Sequence, residues 1–119
     1  EMYKVNVNEK LGLFNEYWQP RIVGTVNDSH VKIAKFLGEF LWHVHEEDEM
    51  FYVLKGQLTV RLRDRDVVLE EGEFIVIPKG IEHMPVAQKE VHAMLFESKD
   101  TVNTGNVTDQ RTVRNPESI

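Results

Sequence analysis

Beyond residue 20 the apolar positions recur at every second residue or in short unbroken runs, and turn-formers cut between them. "RIVGTV" (21–26) and "HVKIAKFL" (30–37) are rich in β-branched residues, with Asn27-Asp28-Ser29 as the turn between them. "EFLWHVH" (39–45) alternates, and "EMFYVL" (49–54) is apolar throughout and runs into the Lys55-Gly56 turn. In "QLTVRLRD" (57–64) the alternation predicts Leu58, Val60 and Leu62 facing in, with Thr59, Arg61 and Arg63 facing out. Arg65-Asp66 begins a return strand through "VVLEE" (67–71), and "EFIVI" (73–77) ends at Pro78. "IEHMPV" (81–86) and "EVHAMLFE" (90–97) are two further predicted strands. Strands this short and closely spaced predict an all-β antiparallel sandwich or small barrel.

One stretch has a different period. "NEKLGLFNEYW" (8–18) sets Leu11, Phe14, Tyr17 and Trp18 at three- and four-residue spacing, which predicts a short helix. Asn8 would cap it, Gly12 weakens it and Pro20 stops it. The last segment, 98–119, is polar and is either a free tail or an arm that wraps the body.

Composition narrows the functional classes. The 119 residues fit one domain with one core, and 41% of them are hydrophobic. Twenty acidic against fourteen basic residues leave a net charge of −6, which argues against nucleic acid or an anionic membrane as the main partner. There is no cysteine, so disulfides and thiolate ligands are excluded. No apolar run approaches the ~20 residues of a membrane span. The N-terminal "EMYKVNVNEK" has no apolar signal-peptide core, so the expected location is the cytoplasm.

Candidate chemistry sits in two stretches. In "WHVHEEDEM" (42–50), His43 and His45 are two residues apart and would share one strand face. A hairpin through Glu46-Glu47-Asp48 would bring Glu49 beside them. Imidazole nitrogens with a carboxylate oxygen suit zinc, iron, nickel, manganese or copper. On these residues alone, a metal site and an acidic surface loop carrying histidines both stay open. In "GEFIVIPKGIEHMPV" (72–86), Pro78-Lys79-Gly80 forms a tight turn after a buried strand, and His83 lies just beyond it.

Together the two stretches resemble the cupin superfamily. His43, His45, Glu49 and Gly56 match the first cupin motif, G-x5-H-x-H-x3-E-x6-G, with Gly38 one residue closer than the motif's glycine. Gly72, Pro78, Gly80 and His83 match the second, G-x5-P-x-G-x2-H-x3-N, with Ala87 in place of the final asparagine. The fifteen residues between the motifs, the N-terminal helix and "NTGNV" (103–107) are similar to small bacterial cupins of the phosphomannose isomerase-like type. The resemblance implies a cupin double-stranded β-helix, or jelly-roll barrel, with a short N-terminal helix. It implies one domain over 1–119, a motif core of about 30–97 and a polar arm over 98–119. It also implies that His43, His45, Glu49 and His83 hold one divalent transition metal ion (zinc, iron, manganese or nickel). On a six-coordinate ion, four protein ligands would leave two open positions.

The functional expectation is a metal-dependent enzyme acting on a small polar metabolite, of isomerase, dioxygenase or lyase type. The alternative is a non-catalytic module that binds or senses a sugar or metabolite. His92, Met94 and Phe96 share one strand face. If that face looks inward, His92 is the candidate catalytic proton carrier; if outward, it is ordinary surface. Tyr52, Phe40, Phe51, Trp42 and Phe74 are expected in the core or cavity wall, and His30 at a turn or edge. Glu46, Glu47 and Asp48 are expected in a solvated loop that repels anions if it lies at the mouth, and Lys79 and Arg61 as exposed charge. An outward-pointing Trp42 and an exchangeable arm predict a homodimer.

Overall fold

A computed structural model describes residues 2–119. Its elements are α1 (Val7–Leu11), β1 (Arg21–Val26), β2 (Ser29–Glu39), β3 (Glu49–Lys55), β4 (Leu58–Leu62), β5 (Asp66–Leu69), β6 (Phe74–Ile77) and β7 (His83–Ser98). The architecture is an antiparallel jelly-roll barrel. The two strands expected at 81–86 and 90–97 are one strand, β7, which is the spine of the fold. It pairs with β2 from Ser98 to Val86, with β3 along its C-terminal half and with β4 along its N-terminal half. β6 lies outside β3, β1 outside β2, and β5 outside β4. The ladder between β2 and β7 slips between Phe36 and Gly38, where Gly38 takes a left-handed φ of 83°. The early glycine thus serves a register shift.

Side-chain alternation sets the interior. Val91, Ala93, Leu95 and Glu97 of β7 face in, opposite Phe36, Ala34, Lys32 and His30 of β2 and Val53, Phe51 and Glu49 of β3. Leu58 and Val60 of β4 complete the core as expected, with Leu69, Ile77, Trp18 and Phe40. Phe74 does not join it. β6 directs Phe74 and Val76 outward and Ile75 and Ile77 inward, so Phe74 is 58% exposed.

The N-terminal helix is shorter than its periodicity predicts. Asn6, not Asn8, caps it by accepting from the Glu9 N–H at 3.0 Å. It stops at Gly12, because the residues after it are claimed by β2. Phe14 packs with Leu11 and Ile33 on the outer face of β2. Its carbonyl accepts from the Lys35 ammonium at 2.7 Å. Trp18 instead donates its backbone N–H to Lys35 and its indole N–H to the Leu37 carbonyl, each at 2.9 Å, and enters the inner core. Two aromatics that a long helix would set on one stripe therefore serve two different cores.

The segment 98–119 is an arm laid against its own chain. Its end is joined to β1: the Ile22 N–H donates to the Glu117 carbonyl and the Ile119 N–H to the Ile22 carbonyl. Among the described residues no helix is long and apolar enough to cross a membrane.

Candidate metal centre

Three separate stretches supply four donors. His43 and His45 lie in the connection before β3, Glu49 opens β3 and His83 opens β7. The expected strand over 39–45 does not form beyond Glu39, because this segment divides its backbone bonds among several partners. His43 and His83 exchange two of them, at 3.1 and 3.0 Å, which sets their rings side by side with centroids 4.3 Å apart. The His45 carbonyl accepts from the Gly80 N–H at 3.0 Å and so ties the Pro78-Lys79-Gly80 turn to the site. Asp48 supports the same turn by accepting from the Lys79 N–H at 2.9 Å. Val44, between the two histidines, is held by Asn106 of the arm. Its N–H donates to the Asn106 side chain at 3.0 Å and its carbonyl accepts from the Asn106 N–H at 3.1 Å. Gly105 permits this approach, since a side chain there would collide with the Val44 carbonyl.

The result is a buried cluster. One donor atom from each of His43, His45, Glu49 and His83 lies within 4.8 Å of the others. His43 Nδ1 lies 2.9 Å from the Leu41 carbonyl, and His83 Nδ1 2.9 Å from the Ile81 carbonyl. A carbonyl only accepts, so both Nδ1 atoms carry the proton and both Nε2 atoms offer lone pairs. Glu49 Oε2 stands 3.0 Å from His45 Nε2 and 3.3 Å from His83 Nε2. Although close, these three buried atoms are not aligned to hydrogen-bond. Each such orphan costs about 1–3 kcal/mol, and one cation among them would satisfy all three. Burial, with the neighbouring His83 imidazole, pushes His43 down to about 4, so its ring is neutral and able to ligate. Burial acts to raise Glu49, but His45 and His83 outweigh it and hold the carboxyl well below its usual range. Nitrogen and oxygen donors of this kind fit a divalent transition metal.

A narrow cavity borders His43 and Glu49, walled by Trp18, Phe36, Phe40, Phe51 and Leu95. It contains a polar residue that no motif marks. Glu97 is 4% exposed and sits directly across the ladder from Glu49. Its Oε2 accepts from the Lys32 ammonium at 3.1 Å, with both side chains buried. Its Oε1 is buried with no partner. Burial, then the charge of Glu49, raises the Glu97 pKa, while Lys32 pulls it down. The sequence does carry a signal for this residue: Glu97 is a charge in the Val91, Ala93, Leu95 phase of β7.

His92 stands on the opposite phase and is not in the cavity. Its Nε2 lies 2.6 Å from Glu90, which also accepts from the Tyr17 hydroxyl at 2.6 Å on the outer surface. The inward alternative for His92 is therefore excluded by the alternation of β7. Trp42 points outward as expected, but Arg63 covers its ring at 3.7 Å and Arg61 lies 6.0 Å away. A groove beside His45 is bordered by Glu46, Glu47, Lys79, Asp100 and Asn106, so the acidic loop does lie at a mouth of the site.

The comparisons with known proteins agree with this geometry. A family model described as Cupin domain matches residues 30–98. The crystal structure of a cupin-2 domain containing protein from Shewanella frigidimarina superposes with a TM-score of 0.78 at 44% identity, over 79% of this chain and 93% of that one. An uncharacterized Bacillus subtilis protein, YdbB, is 41% identical over 63 residues, 51% of this chain and 56% of its own. The 3-hydroxyanthranilate 3,4-dioxygenase of Xenopus tropicalis is 26% identical over 111 residues, 85% of this chain and 40% of that enzyme. The chain thus spans about half the length of the curated relatives it matches. The matched segment encloses all four clustered donors and the barrel strands that carry them, and on that ground the chain belongs to the cupin domain family.

Proposed function

We propose that His43, His45, Glu49 and His83 hold one divalent transition metal ion, and that the protein is a metal-dependent enzyme acting on a small polar molecule in the adjoining cavity. The observation that carries this is the set of three buried, unbonded atoms, His45 Nε2, Glu49 Oε2 and His83 Nε2, gathered around one point. A bound ion supplies Lewis acidity at its open positions. The chain's own residues do the rest. The Leu41 and Ile81 carbonyls fix two imidazoles in their ligating tautomer. The aromatic walls exclude water from the cavity. Glu97 supplies an acid–base group besides the ligands, which favours catalysis over passive binding. Similarity to 3-hydroxyanthranilate 3,4-dioxygenases supports the dioxygenase type over isomerase or lyase.

Elemental analysis of metal-replete protein tests the site, with one ion per chain expected and a large loss in His83→Ala. An equal metal content in both would overturn it. Retention of the ion with ligand binding but no turnover, under any of the four metals, would favour the binding module. We extend the proposal to a homodimer formed through edge strand β6, where Phe74 and Val76 are more than half exposed. A monomeric mass in light scattering would exclude that assembly.

A further inference from the structure

Glu97 poses a problem that the metal site alone does not solve. On one rung of the barrel it faces Glu49 directly across the ladder. Like charges opposite one another destabilise a sheet. An ion on the donor cluster would take up the charge of Glu49. Lys32, 2% exposed and bonded to Glu97 Oε2 at 3.1 Å, takes up one side of Glu97. Oε1 is left over, buried and unpaired, in a side chain that lines the cavity beside His43 and Glu49. A carboxylate whose far oxygen binds an ammonium presents its near oxygen as an acceptor.

The rest of the lining limits what can meet it. The charged side chains that line this cavity are Glu49 and Glu97, and the other walls are aromatic, aliphatic, proline, His43 and Asn103. Among the described residues no ammonium or guanidinium head lines it. Glu46 and Glu47 add negative charge at the neighbouring groove. A carboxylate or phosphate on the ligand would have the ion as its cationic partner and would lie against Glu97.

We infer that Glu97, held by Lys32, selects the ligand: its free Oε1 accepts from an O–H or N–H of a compact compound without anionic groups, whose adjacent oxygen reaches the ion. The class includes α-hydroxy ketones, vicinal diols and amino alcohols. It excludes carboxylates, and so differs from the 3-hydroxyanthranilate named for the dioxygenase relatives. The inference rests on the proposal that the four donors hold an ion.

The test uses the full chain loaded with cobalt(II), whose visible spectrum reports both occupancy of the site and a change in coordination. Two probes of similar size are titrated in: hydroxyacetone, uncharged with a hydroxyl beside a carbonyl, and lactate, with a hydroxyl beside a carboxylate. Wild type should bind hydroxyacetone about tenfold or more tightly than lactate, the scale of one hydrogen bond to a charged group. Glu97→Gln should keep its cobalt and reverse the order. Its amide oxygen stays toward the Lys32 ammonium, and its NH2 then faces the cavity as a donor for lactate. Tighter lactate binding in wild type overturns the inference, as does no response to hydroxyacetone. An unchanged preference in a cobalt-loaded Glu97→Gln does the same and leaves the metal site standing. Failure of wild type to take up cobalt overturns the metal proposal itself. The wild-type preference decides the matter if the variant does not fold.

Discussion

Two rungs of the same barrel make opposite use of the same three strands. On one, Ala34 of β2, Ala93 of β7 and Val53 of β3 meet side by side, each fully buried. Farther along the same ladders, His30, Glu97 and Glu49 occupy the equivalent places. The apolar rung is complete in itself, since burial is favourable at about 25 cal/mol per Å² of apolar surface. The acidic rung is not. Its two carboxylates are removed from water and opposed, and it holds together through groups from elsewhere: Lys32 from the next rung, and His45 and His83 from the loop and from the start of β7. Even then Glu49 Oε2 and Glu97 Oε1 remain unbonded. Polar atoms buried and unmatched in this way are compatible with a bound metal ion, whereas the apolar rung serves the fold alone.

Metal should separate the two rungs most strongly. At free ion a thousand times the dissociation constant, wild type should gain about 4 kcal/mol in urea unfolding. Glu49→Gln should gain almost nothing. A wild-type midpoint indifferent to every divalent metal would end the distinction between the rungs.

Acidity should act next. His43 has a folded pKa of about 4 against 6.5 for the free side chain. Its neutral burial therefore contributes fully above 6.5 and is lost as pH falls toward 4. The stability gap between metal-free wild type and His43→Gln should shrink by roughly 2–3 kcal/mol over that window, at about 1.4 kcal/mol per pKa unit. Glu97, whose pKa is raised, drifts in the other direction, which is why the variant comparison is the informative measurement. A constant gap would mean that the ring is not held neutral by its surroundings.

Val53→Ala, on the apolar rung, should cost roughly 2 kcal/mol through lost burial and the cavity left behind. The loss should be the same with and without metal. A metal-dependent loss would show that the two rungs are coupled rather than separate.

The smallest effect belongs to Lys35, the second buried lysine of β2. It faces the outer side and donates to the neutral Phe14 carbonyl. Lys35→Met should cost about 1 kcal/mol and leave metal affinity unchanged in isothermal titration. Lys32→Met, which strips Glu97 of its partner, should be the more damaging. Equal penalties would show that burying an ammonium, and not the carboxylate it faces, sets the cost.

Much of this protein is determined by local chemistry that the sequence displays directly. Alternation in "QLTVRLRD" placed Leu58 and Val60 inside, because a strand turns successive side chains to opposite faces whatever surrounds it. The spacing of His43, His45 and Glu49, and of Pro78, Gly80 and His83, marked the residues that the fold gathers, since a short connection leaves few ways to arrange such donors. Other features were decided by contacts between residues far apart in the chain. β7 runs unbroken through 87–90 because β2 and β4 flank it on either side of a register shift. α1 stops at Leu11 because Phe14 and Trp18 gain more from two separate cores than from a helical stripe. The phase of β7 put His92 outside and Glu97 inside, and a run such as "EVHAMLFE" permits either phase until a neighbouring sheet covers one side. Lys32 and Glu97 are 65 residues apart, and neither lies in a motif. Their pairing behind the cavity wall exists only once β2 and β7 lie next to each other, since proximity between distant residues is set by tertiary packing and not by local sequence.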